Sequence, residues 1–317
     1  MVFSVEFIYI IMGIIGFCCS IYTFLDKANP RRISSGLFYL LYSLTLLFGK
    51  VIPPFYIGIM VILMVLIVGL GGLKKGSYEE ATEGQREERR KKLGNMLFLP
   101  ALLIPIITVI GSKLFVNVKI GSLQLLDPAN PTLVSLGIAC LIAILAAVAL
   151  TKSTPKTTIK ESRRLLEAIG WAVVLPQLLA TLGTIFTSAG VGKVVSDMVT
   201  KVIPETSLFW VVFAFCIGMA VFTMIMGNAF AAFPVMAAGI AIPLLIKQFG
   251  ANPNQIAAIS MFAGYCGTLM TPMAANFNIV PAALLDLKDK NHVIRVQIPT
   301  ALCALAFNIV LMYFLIK

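Results

Sequence analysis

Apolar residues run almost unbroken through ten stretches of the chain, at about 5–25, 35–49, 52–73, 95–112, 131–150, 167–187, 207–226, 234–247, 255–285 and 295–316. A membrane-spanning helix needs roughly 20 apolar residues, so runs of this length and apolarity predict membrane segments. The fold class it implies is an all-α polytopic membrane protein of about eight to ten segments. Several runs are too short or too interrupted to be simple spans, which predicts one re-entrant helical hairpin and one or two discontinuous helices. The chain divides on this reading into scaffold helices at 1–165, with a charged loop at 74–94, and a second half at 166–317. That half holds a hairpin (167–200), two broken helices (207–247 and 255–285) and a final helix (295–316).

Basic residues cluster in the connections and orient the segments. Lys27, Arg31 and Arg32 flank the first turn, seven basic residues from Lys74 to Lys92 fill the second charged stretch, and Lys152, Lys156, Lys160, Arg163 and Arg164 fill the third. All three belong inside by the positive-inside rule, which places the amino terminus outside a multi-pass prokaryotic cytoplasmic (inner) membrane protein. The first apolar run has no basic flank before it and no small-residue cleavage site, so it does not read as a signal peptide. In the second stretch Glu79, Glu83 and Glu87 recur at helical spacing, and Glu87 stands four residues before Lys91, so a surface helix or a solvated connector fits there.

Lys193 and Lys201 follow the run 167–187, and Lys288, Lys290 and Arg295 follow 255–285. If both clusters lie inside with Arg164, the stretch 167–200 must enter and leave on one side. Pro176 interrupts it, and Thr181 to Gly192 packs hydroxyls and glycines, including Thr184, Thr187 and Ser188, where a tip would turn. A Pro-kinked span with a small-residue packing face is the alternative.

The run from Ser207 to Gln248 is cut by Gly227-Asn228 and Pro234. Pro suits the first turn of a helix, where its missing N–H has no partner in any case, so Asn228 to Phe233 reads as an extended linker between two half-helices; a kinked helix whose Asn228 bonds a neighbour is the alternative. In the next crossing Thr271-Pro272 reads as an N-cap followed by Pro at the first helical position, with Gly264 and Gly267 just before it and Asn276, Asn278 and Pro281 after it. In hydrocarbon each unsatisfied polar group costs several kcal/mol, so broken backbone survives where protein or a water-filled cavity satisfies it. Unwound helices expose carbonyls to a cation, and half-helix amino ends offer N–H groups to an anion, as in secondary transporters.

Composition narrows the remaining classes. With 59% hydrophobic and 12% charged residues, the chain is far more apolar than the roughly 45–50% of soluble domains. Its net charge of +11 sits between apolar runs, where topology accounts for it, and not in a nucleic-acid interface. The six cysteines have no metal-ligand spacing and read as reduced packing residues, and the single histidine, His292, lies in a charged loop. There is no Gly-x-Ser-x-Gly, no His-Glu pair and no Asp or His inside an apolar run, so an intramembrane enzyme is not expected and no cofactor is implied. Glu167, Asp197, Glu205 and Asp286 stand near segment ends, which disfavours a proton-coupling carboxylate at depth.

The stretch from Gly227 to Pro243 resembles the Ser-Asn-Thr break and following helix of the divalent-anion/sodium symporters in the ion transporter superfamily, and Leu269 to Asn276 is similar to their Pro-Val-Ala-Thr-Pro-Pro-Asn-Ala run. More closely, Gly-Asn-Ala-Phe-Ala-Ala-Phe-Pro-Val from Gly227, with Gly-Thr-Leu-Met-Thr-Pro-Met-Ala-Ala-Asn-Phe-Asn-Ile-Val-Pro from Gly267, resembles a bacterial family that supplies one membrane subunit of a pyroglutamate (5-oxoproline) transporter. The resemblance implies that Asn228, Thr271 and Asn276 help form sodium and substrate sites, with Gly227, Ala229, Gly267, Thr268 and Asn278 beside them. Gly227 and Ala229 replace a serine and a threonine of the symporters, which removes two hydroxyl ligands and leaves sodium, the implied coupling ion, to backbone carbonyls. The symporters hold two inverted copies of hairpin plus broken helix, and this chain shows one, which implies a companion membrane subunit, or a homo-oligomer, completing the site around a small organic anion. A structural or regulatory subunit without its own binding site is the alternative.

Overall fold

The computed structural model describes residues 3–78, 82–120, 123–202, 204, 206–285 and 287–317. It divides into two compact units, Met1–Glu167 and Ala168–Lys317. Among the described residues, seven helical stretches are long and apolar enough to cross a membrane: Val5–Leu25, Arg86–Phe115, Pro131–Thr151, Pro155–Phe186, Leu208–Met226, Ala229–Gln248 and His292–Ile316. Two shorter apolar helices, Arg32–Phe48 and Pro54–Gly69, accompany them. The chain is thus an all-α, multi-pass membrane protein.

The first unit opens with α1 (Val5–Leu25), α2 (Arg32–Phe48) and α3 (Pro54–Gly69). Lipid tails are as apolar as leucine, so helices in a bilayer gain by close packing through small residues. The α1–α2 pair shows this: a Cβ added at Gly16 would lie 2.6 Å from Ser43 Oγ, and one at Gly36 would strike the Phe24 ring. Ser20 Oγ donates to the Gly36 carbonyl at 2.9 Å, which ties the same contact. After α3 come α4 (Glu83–Leu93), α5 (Leu99–Ile110) and α6 (Pro131–Thr151). Gly111, just beyond α5, lets that stretch approach Ser135 of α6. Lys119–Ile120 pairs antiparallel with Leu123–Gln124 in a two-residue ladder, and Phe3 bridges to Leu126.

α4 is the surface helix allowed by the glutamate spacing: Glu87 reaches Arg90 at 2.7 Å and Lys91 at 3.9 Å on an exposed face. Glu79, also in that pattern, lies outside the described residues. The third basic stretch is not a loop. It forms α7 (Pro155–Ile169), because Thr154 Oγ1 accepts from Thr157 N at 3.3 Å to start the helix and Pro155 takes a first-turn position where no donor is needed.

In the second unit a 3-10 turn, Gly170–Val173, leads into α8 (Leu175–Ser188) and α9 (Val191–Val202), two helices joined at Ala189-Gly190. Gly190 turns the chain at φ +70°, a backbone conformation costly for a residue with a Cβ. Then follow α10 (Leu208–Met226), α11 (Ala229–Met236), wider π turns over Ala237–Gln248, α12 (Pro253–Leu269), α13 (Ile279–Leu284) and α14 (His292–Ile316). Pro234 and Pro243 each remove a donor from the helical ladder, and the π turns relieve the resulting misfit. The core gathers Phe215 and Met219 of α10, Ile259 and Ala263 of α12, and Leu305 and Met312 of α14. α10 and α12 touch backbone to backbone, since a Cβ at Gly267 would lie 2.2 Å from the Ala220 carbonyl oxygen.

Two sequence expectations are corrected. Asn228 to Phe233 is not an extended linker: the helix restarts at Ala229, and Pro234 is inside it. Asn228 caps the new helix at once, so one glycine and one asparagine suffice for the break. Nor do Thr271 and Pro272 begin a helix. Residues 270–278 form turns, and regular helix resumes only at Ile279, because Asn278 bonds back into the turn and holds it open.

Candidate functional site

The first break is built from a residue that can turn the chain and one that can cap it. Gly227 adopts φ +71° at the end of α10, and Asn228 is extended, with φ −151° and ψ 126°. Asn228 Oδ1 accepts from Phe230 N at 2.8 Å, satisfying one of the donors that every helix start leaves open. Its carboxamide is oriented by that bond: the oxygen is committed to the helix, and Nδ2 has no hydrogen-bond partner among the described residues.

That donor belongs to a cleft of about 440 Å³ lined by Gly183, Thr184, Ser188, Asn228, Phe230, Ala231 and Pro234. α8 forms one wall and the start of α11 the other. They come this close because Gly183 has no side chain, and a Cβ there would lie 3.0 Å from Ala231 Cβ. Thr184 Oγ1 donates to the Thr181 carbonyl at 2.7 Å, while the Ser188 hydroxyl makes no hydrogen bond among the described residues. Among the described residues, no charged side chain lines the cleft. Its chemistry is that of two neutral donors, an amide and a hydroxyl, with the positive end of a helix dipole beside them and apolar walls.

The structure thus brings together Asn228, Thr184 and Ser188 from the residues singled out in the sequence. Thr187 belongs to the same helix, but its side chain lies outside the described residues. Ala229 is buried against Gly264, and Gly267 is spent on the α10–α12 contact. Gly227 meets the second break: a Cβ there would lie 2.6 Å from the Met273 carbonyl oxygen.

In the second break the polar side chains hold the backbone. Thr271 Oγ1 donates to the Met224 carbonyl at 2.8 Å and accepts from Met273 N at 3.2 Å, which ties the turn to the end of α10. Asn278 Nδ2 donates to the carbonyls of Thr268 at 2.8 Å and Thr271 at 2.6 Å. Thr268 Oγ1 donates to the Tyr265 carbonyl at 2.7 Å. Thr271 and Asn278 therefore stand in for helix hydrogen bonds lost at the break, while Thr268 bonds back within the last turn of α12. Asn276 is exposed and makes no hydrogen bond among the described residues. Thr223 Oγ1 and Asn278 Oδ1 are among the buried side-chain oxygens that have no hydrogen-bond partner among the described residues.

Residue types alone did not single out the aromatic side chains. Phe230, at the cleft, stacks edge-on against Tyr265 at 6.4 Å between centroids, and Tyr265 meets Phe277 at 6.2 Å. Their separation in sequence hid the row; a Phe two residues after the capping Asn was its one local sign.

A separate polar cluster lies in the first unit. Arg163 donates from Nε to Glu167 Oε1 at 2.7 Å and from Nη2 to Asp26 Oδ2 at 2.5 Å. Glu167 also accepts from Thr23 Oγ1 at 2.6 Å, from Gly76 N at 2.7 Å and from the Tyr78 hydroxyl. Asp26 accepts from Ser77 N and Ala28 N, both at 3.0 Å. In the sequence Arg163 reads as part of a basic connection and Glu167 as an acid near a segment end; in the fold both are buried. The i, i+4 spacing of Arg163 and Glu167 was the available signal.

Burial alone would raise the Asp26 carboxyl, but the Arg163 guanidinium and the Ser77 and Ala28 amides outweigh it and hold it below the ordinary 3.8. A carboxylate with a depressed folded value stabilises the fold above its unfolded value and loses that contribution as pH falls through the folded one. Thermal unfolding followed downward from pH 6 is therefore expected to show an added loss of stability below about 3.8, and Asp26→Asn is expected to remove that component.

The chain belongs to the family described as Protein of unknown function (DUF979), whose family model matches residues 6–316. No curated protein and no solved structure matches it.

Proposed function

We propose that this DUF979 member is one subunit of a secondary transporter for a small organic anion, working by alternating access with a companion membrane subunit. The cleft between α8 and α11 is the observation that carries this reading. It lies between the break in a discontinuous helix and α8, and it offers the Asn228 amide and the Ser188 hydroxyl to a ligand. A helix amino end carries about half a positive charge, so a carboxylate can be held there without a basic residue. 5-Oxoproline is the candidate substrate, named by the motif resemblance, and its lactam suits neutral donors and acceptors.

Sodium is the candidate coupling ion. Thr223 Oγ1 and Asn278 Oδ1 are buried oxygens without a donor among the described residues, the kind of oxygen that can coordinate a dehydrated cation. Phe230 is 68% exposed within this unit, which favours a partner surface closing over the cleft. The charged connections place the amino terminus outside in this reading, in the cytoplasmic membrane.

Uptake tests it. Vesicles containing this chain and its companion are expected to accumulate labelled 5-oxoproline under an inward sodium gradient, and vesicles with either subunit alone are not. Accumulation driven only by a proton gradient would remove sodium from the reading. No accumulation of any small organic acid by an assembled pair would leave the chain as a structural or regulatory subunit.

A further inference from the structure

We infer that the turn between α1 and α2 is a binding site for the phosphate group of an anionic phospholipid. The turn carries Lys27, Arg31 and Arg32, which line a cavity of about 630 Å³ together with Asn29, Ser34 and Leu37. Among the described residues, no carboxylate lines it. None of the three cations makes an ion pair among the described residues. The nearest acid in sequence, Asp26, is already committed to Arg163, Ser77 and Ala28. Three like charges gathered without a counter-charge attract an anion.

The turn is built to keep that shape. Asn29 is 2% exposed; its Oδ1 accepts from Arg31 N at 2.8 Å, and its Nδ2 donates to the Lys74 carbonyl at 2.9 Å. Ala28 N donates to Asp26 Oδ1, which fixes the entry to the turn. The backbone under the cations is thus held by side chains from within the turn and by the segment after α3. A loop whose basic residues served topology alone would need no such locking.

The surroundings favour a lipid over a free anion. The cavity lies where two apolar helices end, and the aliphatic side chains beside it face outward: Ile33 is 70% and Leu37 41% exposed. A phospholipid can set its phosphate among the guanidinium groups, which suit bidentate contact with phosphate oxygens, and lay its chains along Ile33 and Leu37. Inorganic phosphate gains nothing from those residues. Membrane-side basic pockets that recognise anionic headgroups have this combination of features.

Lipid retention tests the site. The chain is extracted from mixed phosphatidylcholine and phosphatidylglycerol bilayers, and retained lipid is identified by native mass spectrometry, with affinity then measured by titration. Phosphatidylglycerol is expected to be retained in preference to phosphatidylcholine. Arg31→Gln and Arg32→Gln are each expected to weaken its binding about fivefold, the effect of one cation near an anionic surface. Lys91→Gln, in the exposed basic helix α4, is expected to leave it unchanged. Asn29→Ala keeps every charge and releases the turn, so it is expected to weaken binding as well. Equal retention of the two lipids, a loss with Lys91→Gln as large as with Arg31→Gln, or full retention with Asn29→Ala would overturn the site. Inorganic phosphate binding as tightly as the lipid would overturn its assignment to lipid.

Discussion

Arg163→Ala is expected to lower the unfolding free energy by about 3–5 kcal/mol, measured by denaturant or thermal unfolding in mild detergent. The magnitude follows from what the substitution leaves behind. Removing one member of a buried ion pair strands its partner in a poorly solvated place, which costs on the order of 3–5 kcal/mol. Here two partners are stranded: the Glu167 side chain is 1% exposed and that of Asp26 8%. The N–H and hydroxyl donors that remain do not replace a full positive charge. Arg163→Lys is expected to recover only part of the loss, because a single ammonium lacks the fork that reaches both carboxylates. Arg164→Ala, one residue on, supplies the comparison. Its pair with Glu161 at 2.8 Å is largely exposed, and removing an exposed pair costs up to about 1 kcal/mol. Equal losses at 163 and 164 would show that the cluster is not a fastening.

If the cluster fastens the first unit, it does so by joining parts distant in sequence: the ends of α1 and α7 and the segment Gly76–Tyr78. Burial and the Glu167 carboxylate push the Tyr78 phenol up, so it remains a donor throughout the physiological range. Nothing in the order of residues brings 26, 78 and 163 together. Arg163 reads as one of the basic residues of an ordinary membrane-side connection. Only packing distinguishes a residue that orients a segment from one that ties segments together.

The helices themselves were far more legible. α1, α6, α10 and α14 fall within three residues of the apolar runs that predict them, because a continuous apolar stretch in a bilayer has few alternatives to helix. The breaks were legible as places and not as shapes. Gly227-Asn228 and the stretch around Thr271 both interrupt helix, but proline misled at each. Pro234 was expected to start a helix and instead sits within one, tolerated by the π turns that follow. Pro272 was expected at a first helical position and instead lies in a turn that Thr271 and Asn278 hold open.

The roles of the amides divide in the same way. Asn228 and Asn278 look alike in sequence, each standing beside a helix break. In the fold Asn278 spends both N–H groups on backbone carbonyls, whereas Asn228 spends only its oxygen. A residue's type says that it can donate and accept; which of these remains available for a solute depends on neighbours many positions away. Asn228 retains a donor for a ligand and Asn278 an acceptor.

Asn228→Asp separates the two roles of the first break. The carboxylate keeps the oxygen that caps α11 and suits the positive end of the helix, so the variant is expected to fold and assemble as the wild type does. It loses the amide donor and sets a negative charge where an anionic solute would sit. A hydrogen bond to a charged ligand contributes about 1.5–3 kcal/mol, or roughly 10- to 150-fold in binding, and like-charge repulsion adds to that. Asn228→Ala loses both roles and is expected to add about 1 kcal/mol of instability through the missing cap. The decisive measurement is uptake of labelled 5-oxoproline by vesicles holding the assembled pair, wild type against Asn228→Asp. Uptake reduced more than tenfold, with unfolding and assembly unchanged, is the predicted result; uptake at the wild-type rate would contradict a solute site at this break.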